Sequence, residues 1–346
     1  MASRKRTSRR KKRSGAASRF LAVLLLAIVA AGAAAWLVFT PFGPTSPVFV
    51  QIAPGSSTVR IGAELESAGV VRSQYAFDLL RFFKHGVLRA GEYRFEHPAP
   101  ATEVYSRIAR GDVYTIALTV PEGANIFDIA TRVEQAGLGS RDTFLQAAVS
   151  QAALVQDIDP GARSVEGYLF PDTYKFSPPV SPGQMIAVMI RQFRVEAKQL
   201  ELNEDAHNVV TMASLVERET AVNSERPLVA SVFENRLAKK MPLMSDPAVI
   251  YGLQLEGRWR GTIYRSDLKG DTAYNIYLHA GLPPGPICNP GIPSLRAAMH
   301  PAQTDYLYFV AAGNDPQGHS VFSTTLDEHN HNVAGYRKAL KQAGAQ

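Results

Sequence analysis

Residues Phe20 to Phe39 (FLAVLLLAIVAAGAAAWLVF) form an unbroken run of 20 residues without a charge. No feature of the chain limits its fold more. At about 1.5 Å of rise per residue, a helix of that length matches the roughly 30 Å hydrocarbon thickness of a bilayer. The run follows nine bases (Arg4, Lys5, Arg6, Arg9, Arg10, Lys11, Lys12, Arg13 and Arg19) with no acid among them. By the positive-inside bias, residues 1–19 form a cytoplasmic tail, 20–39 a single transmembrane helix, and everything after Pro41 an extracytoplasmic body. A cleaved signal peptide is the competing reading, but its apolar region normally runs only about 7–15 residues. Removing the nine bases from the 37 Lys and Arg leaves 28 against 31 Asp and Glu. The body is therefore mildly acidic, which argues against nucleic acid as a partner. One cysteine, Cys288, excludes an intrachain disulfide and any cysteine-ligated metal cluster.

Residues 40–47 (TPFGPTSP) hold three prolines and a glycine, and read as a stiff linker. A strand at Val48–Ile52, a helix at Val59–Ala68 closed by Gly69, a helix near Tyr75–Lys84 and a strand at Ala90–Phe95 follow. The pattern recurs 68 residues on: Ile61, Leu65, Glu66, Ala68 and Gly69 line up with Ile129, Val133, Glu134, Ala136 and Gly137. This predicts two strand–turn–helix units, the first within a small LysM-like module at 48–116. The fold class is α+β, with a larger mixed α/β domain at 117–346. Within it, Arg163–Phe176 (RSVEGYLFPDTYKF) suits either a sugar-binding face or a core corner.

The stretch Asp205–Thr220 (DAHNVVTMASLVERET) is helical by composition, and Val209, Met212, Val216 and Glu219 step by three, four and three. Glu219 thus continues an apolar stripe. A carboxyl in such a place either ends the helix at a wet rim or sits in a cleft where desolvation raises its pKa, as a general acid requires. Glu217 points about 200° away around the helix.

Farther motifs join this one in order: MASLVERETAVNSERPLVASVFENRL, SDPAVIYGL, a YN-x-Y run with GLPPGPI-x-NPG, YLYFVA, GH-x-F and EHN, with EGYLFPDTY upstream. Together they resemble the membrane-anchored endolytic murein transglycosylases, the MltG or YceG-like family. The resemblance implies a lyase that cuts the MurNAc-β-1,4-GlcNAc bond within nascent peptidoglycan strands, leaves 1,6-anhydro-MurNAc ends and so terminates strand elongation. It implies one Glu acting as general acid and then base, no metal and no cofactor. It further implies residence in the inner membrane with a periplasmic body, and peptidoglycan synthases as partners. Glu219-Thr220 is nearest to the Glu-Ser pair of lytic transglycosylases broadly, which makes Glu219 the first candidate, Glu217 the second and Glu225 the third. Tyr274, Asn275 and Tyr277 are expected to line the sugar cleft beside Glu225, although Asn275 equally suits a turn. Asp246, before Pro247, reads as a helix cap. No two of His300, His319, His329 and His331 show the i, i+4 spacing with an intervening Glu typical of zinc hydrolases. The alternatives are a hydrolytic muramidase using a second acid such as Glu225, or a non-catalytic wall-binding scaffold.

Overall fold

In the computed structural model the described residues are 13–343 except 85, 203, 204, 314, 316 and 317, so most of the basic tail lies outside them. The chain divides into two compact units, residues 1–115 and 116–346. Both mix helices with short antiparallel strand pairs.

The first unit runs α1 (Arg13–Phe39), β1 (Val48–Ile52), α2 (Thr58–Ser67), α3 (Gln74–Phe83), β2 (Gly91–Phe95) and α4 (Ala101–Arg110). Within α1, Ala17–Phe39 is long and apolar enough to cross a membrane, and it is almost wholly exposed. Strand β1 alternates, with Val50 and Ile52 buried and Phe49 and Gln51 out, which fixes its register against β2 from Val48↔Phe95 to Ile52↔Gly91. The inward residues join Ile61, Leu65, Phe77, Tyr93, Tyr105 and Ile108 in one core. Residues 40–47 are not a free spacer. Phe42 and Ala99 exchange both backbone hydrogen bonds, at 3.1 and 3.0 Å, and so tie the segment to the unit.

The second unit runs β3 (Ile116–Val120), α5 (Ile126–Gln135), α6 (Arg141–Ser150), β4 (Asp172–Phe176), α7 (Pro182–Gln199), α8 (Ala206–Glu219), α9 (Arg226–Ala238), α10 (Asp246–Leu255), α11 (Ile292–Met299), β5 (Tyr308–Ala311), β6 (Ser320–Ser323) and α12 (Leu326–Ala343). Shifting β1 and α2 by 68 residues reproduces the bounds of β3 and α5. The likeness extends to a whole β-α-α-β-α order, with β3 pairing β4 antiparallel as β1 pairs β2. Gly55 and Gly123 take φ of 78° and 76° in equivalent turns, and Gly69 and Gly137 take 69° and 71° past the helices. A left-handed turn after the strand and another after the helix explain why the glycines repeat.

The copies differ between the second helix and second strand. Residues 84–90 fill that place in the first copy and 151–171 in the second. The longer segment carries Tyr168, Leu169 and Phe170 into a core shared with α7 and α8, and Tyr174 and Phe176 of β4 are buried beside them. The aromatic stretch is a core corner. Helix α8 is buried from Val210 to Val216 without a break, so it is a central helix packed on several sides, not a two-faced surface one.

Candidate active site

Helix α8 leaves the core at its last residue, Glu219, and Thr220 turns extended. The Glu219 carboxyl is partly buried and accepts a hydrogen bond from Ser245 Oγ to Oε1 at 2.6 Å. Ser245 is 1% exposed and precedes α10 at its N-cap position. Its hydroxyl faces Glu219, and α10 has no side-chain cap. Asp246 therefore differs from expectation: it is the first residue of the helix, and its Oδ1 accepts from Tyr277 Oη at 2.7 Å. Burial raises the Glu219 pKa above the ordinary value of 4.5, and the negative charge of Asp246 pushes the same way. The Ser245 hydrogen bond and the charges of Arg236 and Arg218 act in the opposite sense without cancelling the rise.

Arg236 of α9 is held beside this carboxyl by the backbone. Its Nε donates to Leu307 O at 2.7 Å and its Nη1 to Leu243 O at 2.8 Å. The guanidinium carbon lies 5.4 Å from the Tyr308 ring centroid, and His329 stacks on that ring at 5.2 Å. Burial and Arg236 hold the His329 pKa down, which favours a neutral imidazole near pH 7. Burial, followed by donation to Asp246, raises the Tyr277 hydroxyl's pKa. The sequence motifs contain Ser245, Arg236, Tyr308 and His329, yet no spacing signals that Ser245 and Arg236 stand by Glu219 or that Tyr308 and His329 stack on from Arg236.

Glu217 is engaged elsewhere. Its Oε2 accepts Arg226 Nη1 at 2.7 Å and Gly291 N at 3.0 Å, and both charged side chains are 5% exposed. Arg226 also donates to Asn223 Oδ1 and Ser294 Oγ. The pair binds α8, α9 and the start of α11 together, so Glu217 is no surface contact. Glu225 is likewise buried: Oε1 accepts Ser320 N at 2.6 Å and Oε2 faces Thr220 Oγ1 at 3.4 Å. It anchors β6 to the turn after α8, which leaves it poorly placed to meet a sugar or act as a second acid.

Asn275 is fully buried, and its side chain serves the turn reading. Nδ2 donates to Leu268 O at 3.1 Å and Gly270 O at 2.7 Å, and Oδ1 accepts Tyr277 N at 3.1 Å. A side chain so committed to its own loop has no free donor for an acetamido group. It does fix Tyr277. Tyr274 is half-buried, 5.0 Å edge-to-face from Tyr251, and lines a small cavity with Asp159, Glu166 and His207. Of the six expected residues, Tyr277 is the one whose partner, Asp246, also bears on Glu219, as a neighbouring negative charge next to Ser245. Among the described residues no three metal-donor side chains cluster.

Glu166 is the second unusual carboxyl. It is buried, with Oε2 accepting Ile126 N and Oε1 accepting Asn289 Nδ2, each at 2.9 Å. Asn289 reaches back to Ala124 O and accepts Leu169 N, so one polar knot joins three loops of the second unit. Burial pushes the Glu166 pKa up to about 8.

The family model for the YceG-like family matches residues 50–335. A Bacillus subtilis protein named endolytic murein transglycosylase is 35% identical over 304 residues, covering 82% of this chain and 83% of that protein. A Streptococcus pneumoniae protein of the same name is 30% identical over 327 residues, covering 83% of this chain and 58% of that protein. The crystal structure of a yceG-like protein from Listeria monocytogenes shares 32% identity and a TM-score of 0.54, covering 83% of this chain and 99% of that one. The chain belongs to the YceG-like family.

Proposed function

We propose that this protein is an endolytic murein transglycosylase with Glu219 as its acid and base. The observation that carries the reading is a single carboxyl, raised in pKa by burial at the end of a rigid central helix and oriented by Ser245. Protonated, it gives its proton to the glycosidic oxygen between MurNAc and GlcNAc as the C1–O bond breaks. The carboxylate then takes the proton of the muramic C6 hydroxyl while that oxygen bonds to C1. The products are a 1,6-anhydro-MurNAc end and a free GlcNAc hydroxyl. The substrate supplies the nucleophile, so the second carboxylate of ordinary glycosidases has no counterpart to fill.

Tyr277 and Asp246, linked to each other, and the Arg236–Tyr308–His329 row offer hydroxyl, charge and ring surface for the flanking sugars. The names of the relatives support peptidoglycan as substrate. Read with α1 as a retained anchor, the body faces nascent strands at the outer side of the inner membrane, where synthases work. The β-α-α-β order of the first unit supports a LysM-like role in holding glycan. Digestion of purified sacculi by the full-length protein, followed by mass spectrometry, tests the chemistry. Anhydro ends, lighter by one water than hydrolysed ends, are expected. Reducing ends would instead establish a hydrolytic muramidase, and intact strands a scaffold.

A further inference from the structure

Helix α3 has two apolar faces, and its own unit buries only one. Ala76, Phe77 and Leu80 enter the core. Tyr75, Leu79, Phe82 and Phe83, which step by four, three and one along the helix, form a second face that points outward. Tyr75, Phe82 and Phe83 are 74%, 74% and 70% exposed, and Val87 just beyond is 80% exposed. Gln74, Asp78 and Arg81 alone make a polar strip. A soluble unit has no reason to hold so many large apolar groups in water side by side.

The outward face is continuous with α1. A groove of about 640 Å³ runs between the two helices, walled by Ala31, Val38 and Phe39 on one side and Leu79, Leu80 and Phe83 on the other. Ala31 precedes Phe39 by eight residues, which is about 12 Å of helix. If Phe39 marks the membrane surface, the tip of α3 lies beside the anchor at the depth of acyl chains. A cation stands beside the end of α1. The Arg72 guanidinium lies 4.3 Å from the Trp36 ring and 4.8 Å from the Phe42 ring, and Lys84, at the tip of α3, turns its amine to Ser106 Oγ at 3.3 Å. Exposed aromatics on an apolar face, with a base against the tryptophan near the end of the anchor, are what a helix at the headgroup boundary presents.

We propose that α3, with Val87 just beyond it, enters the extracytoplasmic leaflet beside α1, with lipid acyl chains filling the groove between the two helices. The first unit is thus seated on the bilayer by a second contact. That would fix the unit's orientation to the membrane through two contacts instead of one. The inference rests on reading α1 as a retained membrane anchor, and it extends that reading from one helix to two.

The test uses the full chain in vesicles of phosphatidylethanolamine and phosphatidylglycerol, with a nitroxide on a single introduced cysteine. Cys288 is fully buried and does not compete for the label. Leu25→Cys reports the anchor, Gln51→Cys the exposed outer face of β1, and Phe83→Cys and Val87→Cys the proposed contact. Oxygen partitions into hydrocarbon and a nickel chelate stays in water. The expected result is a high ratio of oxygen to nickel relaxation at 25, 83 and 87, and the reverse at 51. High oxygen at 25 with a water-like ratio at 83 and 87 overturns the inference while the anchor stands. A water-like ratio at 25 overturns the anchor reading and the inference with it. Shielding of 83 and 87 from both relaxers identifies a protein occupant, a second copy or another chain, and overturns the lipid contact.

Discussion

Glu219 and Glu217 lie two residues apart on one helix, and the structure predicts opposite consequences for the same substitution. Gln at 219 retains an oxygen to accept the Ser245 hydroxyl but carries no transferable proton. General acid–base catalysis contributes about 10²–10⁴-fold to rate, so Glu219→Gln should lower the cleavage rate by that range, about 2.7–5.5 kcal/mol of transition-state stabilisation. Folding should not suffer. A carboxyl whose folded pKa is raised weakens the fold once pH exceeds its ordinary value, because the unfolded chain ionises more readily. Removing the charge therefore leaves stability at pH 7 unchanged or higher. Gln at 217, by contrast, deprives Arg226 of its nearer carboxylate, at 2.7 Å in a site where both side chains are 5% exposed, and leaves it only the half-exposed Glu122 carboxylate at 4.0 Å. Breaking one side of a buried pair costs about 3–5 kcal/mol. At about 2–4 °C per kcal/mol for a unit of this size, the melting transition should fall by roughly 6–20 °C. The lower end is favoured because Gln still accepts from Gly291 N. Circular dichroism melts, paired with anhydro-product release from sacculi at a temperature where both variants are folded, read the two effects separately. Glu219→Gln retaining more than about a tenth of the wild-type rate, below the smallest loss expected of a lost general acid, would refute the assignment. A melting loss for Glu219→Gln equal to that of Glu217→Gln would refute the reasoning about burial.

Three further outcomes are expected. The pH profile of cleavage should keep its protonated-acid limb above the range of a free Glu and descend as pH rises through the Glu219 pKa, and Ser245→Ala, which removes a hydrogen bond that favours the carboxylate, should move that limb upward. The fold should lose stability as pH rises from about 4.5 to about 8, because the unfolded chain releases the Glu166 proton that the folded chain retains, and then level off; urea midpoints at stepped pH should show this decline, and Glu166→Gln should flatten it whatever its own stability. Gly167→Ala should destabilise the second unit, since φ is +89° and an added Cβ would stand 2.5 Å from Pro286 Cγ and 2.8 Å from Val210 Cγ1; a melting temperature equal to wild type would contradict that geometry.

Whatever depends on neighbours along the chain is readable from the residue order. An uncharged 20-residue run can satisfy its backbone only as a helix when water is absent, so Phe20–Phe39 was legible without a fold. Period-two and helical spacing gave β1 and α2, and left-handed glycines at 55, 69, 123 and 137 marked the repeat, because only glycine takes that backbone conformation without strain. The ordered motifs carried the family. Pattern favoured Glu219 over Glu217 through an apolar stripe, but α8 is buried around most of its surface, and the stripe does not explain the difference. Partners do: Arg226 and Gly291 claim Glu217, Ser320 claims Glu225, and Glu219 accepts from the Ser245 hydroxyl within reach of the Arg236 charge. Each of those partners lies outside the local pattern, from Arg226 on the next helix to Ser320 nearly a hundred positions away. Asn275 was open between sugar contact and turn for the same reason. Its type permits both, and only the closure of residues 268–277 around its amide decided it. Local spacing sets which face a side chain occupies, whereas what stands opposite that face is set by packing between distant segments, and a carboxyl's pKa follows from what stands opposite.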